Sequence, residues 1–231
     1  MNFVFDLDGT LVNEDTQKLY KIYFDNVSKR FHKRFKIDAE FFTNCMYKTM
    51  KKMEEEKGSQ TIEKAFNHHL SHLTGISTKD IETEFEVFYN NEYDEILSAL
   101  KEIPQMNAAT KILKEKGCRL FVATDPFLPK LAVDKKIAHC NLNVNDFDFV
   151  SYNNNLNLVK ANNNFFANLF EKLNLDPANT IVVGNTIPTD IPNFAVKQTY
   201  IIKDFLKEKG ATNNAYTLID CNQFLDIAKN I

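Results

Sequence analysis

The sequence has few of the features that mark disulfide-rich, zinc-binding or membrane-spanning proteins. Its 231 residues include only four cysteines, and these are scattered without the CxxC spacing of zinc or redox motifs. No hydrophobic leader and no apolar stretch of membrane-spanning length is evident. A net charge of -3 argues against the basic surface that broad nucleic-acid binding requires. We therefore expect a reduced, cytoplasmic protein without a nucleic-acid or membrane partner, and the sequence leaves its oligomeric state open.

What the sequence does contain is enough apolar material for a large core. Hydrophobic residues make up 44% of the chain and charged residues 26%. At this length, that composition suits one domain with a buried core plus a smaller second domain.

The strongest local signal lies at the start of the chain, where an apolar run from Phe3 to Phe5 ends in Asp6, Asp8, Gly9 and Thr10. An apolar run without polar alternation is typical of a strand that is covered on both faces of a parallel sheet. Ligands of such sheets bind beyond the carboxyl ends of the strands, so the two carboxylates can face one pocket. Gly9 allows a sharp bend and a close approach of the chain to a ligand. Because two close carboxylates repel each other, we expect Mg²⁺ beside them, an ion that takes one or two carboxylates plus waters and substrate phosphate.

Two other interpretations of this motif stay open from the residues alone. A solvated turn after an edge strand would also be acidic, and a DxDG sequence is compatible with a calcium-binding loop. The EF-hand pattern, however, requires a glutamate near the end of the loop and a helix on each side. An apolar strand precedes the acidic residues here, which favours a pocket at the end of a buried strand, as in an enzyme that binds Mg²⁺ and phosphate, over either of these alternatives.

Helical periodicity dominates the next part of the chain. Apolar residues recur at spacings of three and four in 16–35, 41–50, 62–73 and 77–89, which predicts four amphipathic helices. The chain therefore carries an all-helical insertion between about residues 15 and 98, directly after the first strand.

Helix and strand alternate after Pro104. The apolar run 120–123 predicts a strand that ends in Thr124 and Asp125, and 147–151 predicts another strand. Lys160 then precedes an apolar helical pattern that begins at Phe165.

A further buried strand is predicted at 180–183, followed by a turn and a helix start that contain Gly184, Asn185, Thr186 and Asp190. Late strands at 198–202 and 216–220 and a closing helix at 222–231 complete the pattern.

Taken in order, these motifs resemble those of the haloacid dehalogenase superfamily of phosphohydrolases. The run from Asp6 to Thr10 is similar to its Asp-x-Asp-Gly-Thr motif. The resemblance implies that Asp6 is the nucleophile and Asp8 the general acid/base, with Gly9 and Thr10 in the substrate-binding turn. The chemistry suits these residues, because one carboxylate can attack phosphorus and a second can protonate the leaving oxygen and then activate water.

The later motifs match less closely. The resemblance makes Thr124 a phosphate-binding hydroxyl with Asp125 beside it, although a carboxylate next to phosphate weakens binding unless it points away. Lys160 would neutralise the nucleophile and the phosphate, but the prolines of the family's Lys-Pro-x-Pro motif are missing. Relatives place acidic residues in the fourth motif to hold Mg²⁺, and this sequence keeps Asp190 but has Asn185 and Thr186 where the other carboxylate would stand. The implied metal ligands are Asp6, Asp8, Asn185 and Asp190.

The resemblance also implies a fold and a function. The fold class is α/β, a Rossmann-like parallel sheet with helices on both faces (1–14 and 99–231), plus a small all-α four-helix cap (15–98). The expected activity is Mg²⁺-dependent hydrolysis of a small phosphomonoester, a phosphorylated metabolite, through an aspartyl-phosphate intermediate. A dehalogenase of the same fold is the rival enzyme, although such relatives generally lack a residue like Asp8. A degenerate member that binds a phosphorylated ligand or a protein without turnover is the alternative from another class.

Overall fold

The computed structural model describes residues 1–208 and 216–231. Its strands are β1 (Asn2–Phe5), β2 (Val12–Glu14), β3 (Leu100–Glu102), β4 (Arg119–Val122), β5 (Phe149–Val150), β6 (Thr180–Gly184), β7 (Thr186–Ile187), β8 (Gln198–Ile202), β9 (Lys207–Glu208) and β10 (Thr217–Ile219). Its α-helices are α1 (Thr16–Phe35), α2 (Ala39–Met53), α3 (Ile62–Thr74), α4 (Thr78–Asn91), α5 (Pro104–Glu115), α6 (Lys130–His139), α7 (Phe165–Leu173) and α8 (Cys221–Asn230).

Six of the described strands form one parallel sheet in the order β10-β8-β6-β1-β4-β5. The first strand of the chain therefore lies inside the sheet, between β4 and β6. Every residue of β1 is buried, as the uninterrupted apolar run predicts. The carboxyl ends of β1, β4 and β6 consequently meet at one edge of the sheet.

Alternate residues of β1 pack against different helical layers, because successive side chains of a strand point to opposite faces. Phe3 and Phe5 pack on one side, and the Phe5 ring lies 5.7 Å from that of Phe224 on α8. Val4 packs on the other side in a cluster with Phe166 and Leu169 of α7. Helices thus cover both faces of the sheet.

Helices α1 to α4 form the predicted helical insertion. The rings of Phe31 on α1 and Phe42 on α2 stack at 4.2 Å, and the Tyr23 and Tyr89 hydroxyls lie 2.8 Å apart and join α1 to α4. The insertion leaves the core through β2 and returns through β3, and these two strands pair antiparallel. This short ladder of two strands joins the insertion to the core.

The fold class predicted from the sequence is confirmed, while the assigned domain boundaries stay predictions. One local prediction is wrong: the segment after Gly184 does not begin a helix but forms β7, which pairs in parallel with β9. The strand predicted at 147–151 is also shorter, at Phe149–Val150. Among the described residues, no helix is both long and apolar enough to cross a bilayer.

Candidate active site

The two aspartates of the first motif lie at the edge where the central strands end. The backbone N–H of Asp6 donates to Val183 O at 2.8 Å, and the N–H of Ala123 donates to Phe5 O at 2.7 Å. These bonds extend the pairing of β1 on both sides, so the position of Asp6 is determined by the sheet itself. Asp6 is 8% exposed, and both Asp6 and Asp8 line the same cavity.

Gly9 and Thr10 form the tight turn beneath that cavity and do not line it. Gly9 has a φ of +89°, and a Cβ there would lie 2.1 Å from Nδ2 of Asn185. A side chain at this position would be strained and would displace the asparagine. The buried Thr10 hydroxyl lies 3.4 Å from both Asp6 Oδ2 and Asn185 Oδ1. In the structure both residues support the turn, and their direct contact with a substrate stays a prediction.

Lys160 is buried between two carboxylates. Its Nζ lies 2.7 Å from Asp6 Oδ1 and also forms an ion pair with Asp190. Burial alone would lower the pKa of Lys160, but the carboxylates of Asp190 and Asp6 raise it above its ordinary value, so the ammonium stays charged. Burial raises the pKa of Asp6 to about 7, against the opposing effect of the Lys160 ammonium.

The structure explains how a loop without prolines holds this lysine. Lys160 lies five residues before α7 begins at Phe165, and its backbone N–H donates to Oδ1 of Asp125 at 2.8 Å. The carboxylate of Asp125, which stands beside the predicted phosphate-binding Thr124, therefore fastens the Lys160 loop to the end of β4. Thr124 itself is buried and lines the cavity.

The loop after β6 is organised by Asp190. Its Oδ2 accepts hydrogen bonds from the backbone N–H groups of Asn185 at 2.9 Å and Thr186 at 2.8 Å. The Asn185 side chain donates through Nδ2 to Phe205 O at 2.8 Å, which turns its Oδ1 toward the Thr10 and Thr186 hydroxyls. Asp190 and Thr186 line the cavity, whereas Asn185 lies behind them. The ligand roles of Asn185 and Asp190 toward a metal stay predictions.

Sequence reasoning missed a second buried lysine. Lys136 on α6 is 2% exposed, and its Nζ lies 2.5 Å from Asp8 Oδ1 and 3.2 Å from Glu14 Oε2. Burial alone would lower the pKa of Lys136, but Asp8 and Glu14 raise it above its ordinary value. A signal was present, because Lys136 stands three residues after Val133 on the apolar face of α6.

A cavity of about 700 Å³ lies between the helical insertion and the ends of the strands. The core contributes its floor, with Asp6, Asp8, Thr124, Lys136 and Lys160. The insertion contributes aromatic walls, together with Phe127 of the core: Tyr20, Tyr23, Phe24, Phe66, Phe85, Tyr89 and Tyr93. Such a volume suits a small molecule.

The donor set at the cavity floor fits a hard divalent cation. When ionised, Asp6, Asp8, Glu14 and Asp190 carry four negative charges, and Lys136 and Lys160 supply two positive charges, which leaves this group at -2. The described residues bring no three Asp, Glu, His or Cys side chains within common reach of one ion. Magnesium does not need them, since it binds through one or two carboxylates and keeps several waters.

Comparison with known proteins assigns the family. Residues 1–195 match the model of the haloacid dehalogenase-like hydrolases, so the chain belongs to this hydrolase family. Comparison with curated protein sequences gives no significant match.

Solved structures of the same fold include both expected kinds of enzyme. A 2-haloacid dehalogenase from Pseudomonas syringae pv. Tomato DC3000 is 14% identical with a TM-score of 0.60, covering 100% of this chain and 99% of its own. A predicted phosphoglycolate phosphatase from Haemophilus somnus 129PT is 16% identical with a TM-score of 0.56, covering 98% and 96%. A HAD phosphatase from Thermococcus onnurineus is 15% identical with a TM-score of 0.55, covering 99% and 96%. At these identities the likeness shows the fold, and the choice between the two chemistries depends on this chain's own residues.

Proposed function

We propose that the protein hydrolyses a small phosphomonoester through a phosphorylated Asp6. The observation that carries this proposal is the second carboxylate, Asp8, which lines the same cavity as Asp6. A halide leaves carbon as a stable anion and needs no proton, whereas the alkoxide of a phosphoester is a poor leaving group until it is protonated. An acid beside the nucleophile is therefore useful for phosphoester cleavage and superfluous for dehalogenation.

In the first step, Asp6 attacks phosphorus and forms the acyl-phosphate, and Asp8 in its protonated form gives its proton to the departing ester oxygen. The alcohol product leaves. The Lys160 ammonium, 2.7 Å from Asp6 Oδ1, offsets the negative charge of the nucleophile and of the phosphoryl oxygens. The Thr124 hydroxyl donates to a phosphoryl oxygen.

In the second step, the Asp8 carboxylate accepts a proton from water, and that water attacks phosphorus. The bond between phosphorus and Asp6 breaks, which releases inorganic phosphate and regenerates the Asp6 carboxylate and the protonated Asp8 of the first step. Lys136, at 2.5 Å from Asp8 Oδ1, keeps the Asp8 side chain in place. Asp190 keeps Lys160 in place from the opposite side.

Mg²⁺ would be held by Asp6 and Asp8, with the Asn185 carbonyl oxygen and Asp190 as the further ligands predicted from the fourth motif. When bound, it supplies positive charge to the phosphoryl oxygens as a Lewis acid. Closure of the helical insertion would exclude water and restrict the substrate to small phosphorylated metabolites of the cytoplasm.

The test uses the purified full-length protein with p-nitrophenyl phosphate, small alkyl phosphates and 2-chloropropionate, with and without Mg²⁺. We expect Mg²⁺-dependent release of phosphate from the esters, no release of chloride, and no activity in the Asp6→Asn variant. Release of chloride without release of phosphate would assign the protein to the dehalogenases instead.

One observation favours the alternative of a binder without efficient turnover. Thr186 faces the cavity where relatives carry a carboxylate of the metal loop, and Asp190 is engaged by two backbone N–H groups and Lys160. If phosphate esters bind to the protein, as measured by calorimetry, but release no phosphate at any Mg²⁺ concentration, this alternative replaces the proposal.

A further inference from the structure

The wall of the cavity that α3 and α4 form carries carboxylates without counterions. Glu63 on α3 and Glu82 and Glu86 on α4 line the cavity, and none of them forms an ion pair with a described residue. The lysines that line the cavity in the described part of the chain, Lys136, Lys160 and Lys207, all lie outside α1 to α4. Among the described residues, α1 to α4 therefore contribute carboxylates but no lysine to the lining of the cavity.

An independent feature marks the same wall as a binding surface. Asn67 is 6% exposed and lines the cavity, and its side-chain amide makes no hydrogen bond within the described part of the chain. Since the Asn67 amide is not among the fully buried unpartnered polar atoms, it opens into the cavity, where a ligand group can bond to it. Asn67 follows Glu63 by one helical turn, which puts both on one face of α3.

Aromatic rings lie in the same place. Phe66 on α3 and Phe85 on α4 contact each other edge to face at 6.3 Å, and both line the cavity. Burial raises the pKa of Glu63 and the neighbouring Glu82 raises it further, against the smaller opposing effect of Lys64, which forms no ion pair with it. Carboxylates, a free amide oxygen and aromatic rings are together the groups that surround an organic ammonium ion.

We propose that Glu63, Asn67 and Glu82, with Phe66 and Phe85, form a subsite for an ammonium group at the far end of the substrate. This inference rests on the proposed phosphatase function and specifies its substrate class: a small phosphomonoester that also carries an amine. The phosphate lies over Asp6 and Lys160, and the amine lies between α3 and α4. An ester with an anionic far end, such as a carboxylate, would instead meet like charges.

The experiment compares three series of alkyl phosphates with two to five carbons, which end in an amine, a hydroxyl or a carboxylate. At the chain length that spans the cavity, kcat/KM for the amine should exceed that for the hydroxyl by about 10- to 100-fold, the range supplied by a hydrogen bond to a charged group. The carboxylate should be the poorest of the three. An amine that is no better than the hydroxyl at any length overturns the subsite, whereas the phosphatase proposal then stands.

Substitutions on α3 and α4 test whether Glu63 and Glu82 cause the preference for the amine ester. Glu63→Gln, alone and with Glu82→Gln, should reduce the ratio of kcat/KM between amine and hydroxyl esters, to within about 3-fold of one in the double variant. Glu40→Gln on α2 is the matched control, since it removes the same charge from an exposed site outside the cavity and should leave the ratio unchanged. An unchanged ratio in the double variant contradicts the assignment of these residues.

A binding measurement separates failure of the subsite from failure of the catalytic proposal. Calorimetry with the Asp6→Asn variant compares the affinity of amine and hydroxyl esters without turnover. Tighter binding of the amine ester that is lost in Glu63→Gln/Glu82→Gln supports the subsite even if the wild type releases no phosphate. Equal binding of the two esters contradicts it.

Discussion

Replacement of Lys136 by methionine tests the arrangement of charges that the sequence did not reveal. Lys136 is 2% exposed and contacts two carboxylates, and the side chain of Glu14 is nearly as buried. Methionine preserves most of the volume but leaves Glu14 and Asp8 without their cation. Loss of one partner from a buried ion pair costs about 3–5 kcal/mol, because it leaves an uncompensated buried charge. For a chain of this length, each kcal/mol lowers the melting temperature by about 2–4 °C, so a decrease of about 6–20 °C is expected.

The destabilisation should depend on pH in a definite direction. Burial raises the pKa of Glu14 first, Asp8 raises it further, and Lys136 opposes both. Without Lys136 the folded state holds the Glu14 proton to a higher pH than the unfolded state does, so the variant loses stability as pH rises above the ordinary range of a glutamate. The difference in unfolding free energy between wild type and variant should therefore be smaller at pH 5 than at pH 8.

The assay is urea unfolding at several pH values, with two comparison variants. Lys130→Met on the same helix is the matched control: its lysine is 61% exposed and pairs with Asp134, and such surface pairs contribute only about 0.3–0.5 kcal/mol. Adding Glu14→Gln to Lys136→Met removes the stranded carboxylate and should recover part of the lost stability. A Lys136→Met protein that is as stable as Lys130→Met at every pH would refute the reasoning.

Three further predictions concern the reaction. Asp6→Asn should abolish phosphate release, while Asp8→Asn should slow turnover of alkyl esters by about 100- to 10,000-fold. Asp8→Asn should slow hydrolysis of p-nitrophenyl phosphate less, because that leaving group needs little protonation. Equal losses on both esters would contradict the role of Asp8. Thr186→Asp should lower the Mg²⁺ concentration for half-maximal activity, by about 10- to 100-fold if the new carboxylate reaches the ion, and Asp190→Asn should raise it; an unchanged requirement in Asp190→Asn would mean that 184–190 is not the metal loop. Phosphoproteins should be hydrolysed far more slowly than small esters because the insertion covers the site, and comparable rates measured by phosphate release would show that it does not close.

Sequence reasoning succeeded where the signal was local. The apolar run of β1 and the acidic residues after it occupy eight consecutive positions. A buried parallel strand accounts for the apolar run, and the ligand-binding edge at its carboxyl end accounts for the acidic residues. The helical insertion was likewise readable from spacings of three and four. Lys160 was singled out by its order in the chain. The hydrogen bond from its backbone N–H to the Asp125 carboxylate explains how its loop is held although the family's prolines are missing.

It failed where the outcome depended on tertiary contacts. The segment after Gly184 contains turn residues that suit a helix start, but its backbone instead pairs with β9, about twenty residues later. Lys136 was overlooked because a lysine in a helix is usually exposed, and only the approach of α6 to β2 brings Glu14 and Asp8 to it. Neither pairing leaves a signature in the local pattern.

The two buried lysines explain why the site needs both the first strand and residues far from it. Lys160 comes from the loop before α7 and Lys136 from the helix after β4, and each joins one aspartate of the first motif to a further carboxylate. Each ammonium is shared between two carboxylates, so neither aspartate has a cation to itself. Burial raises the pKa of Asp6, Lys160 opposes this effect and Asp190 adds to it. A phosphate dianion that enters this group adds negative charge, so we expect its binding to depend on a further cation such as Mg²⁺ at the floor of the cavity. In the proposed subsite, the carboxylates of α3 and α4 act on the end of the substrate that does not carry the phosphate, which is why the charge of that end should decide between esters of equal size.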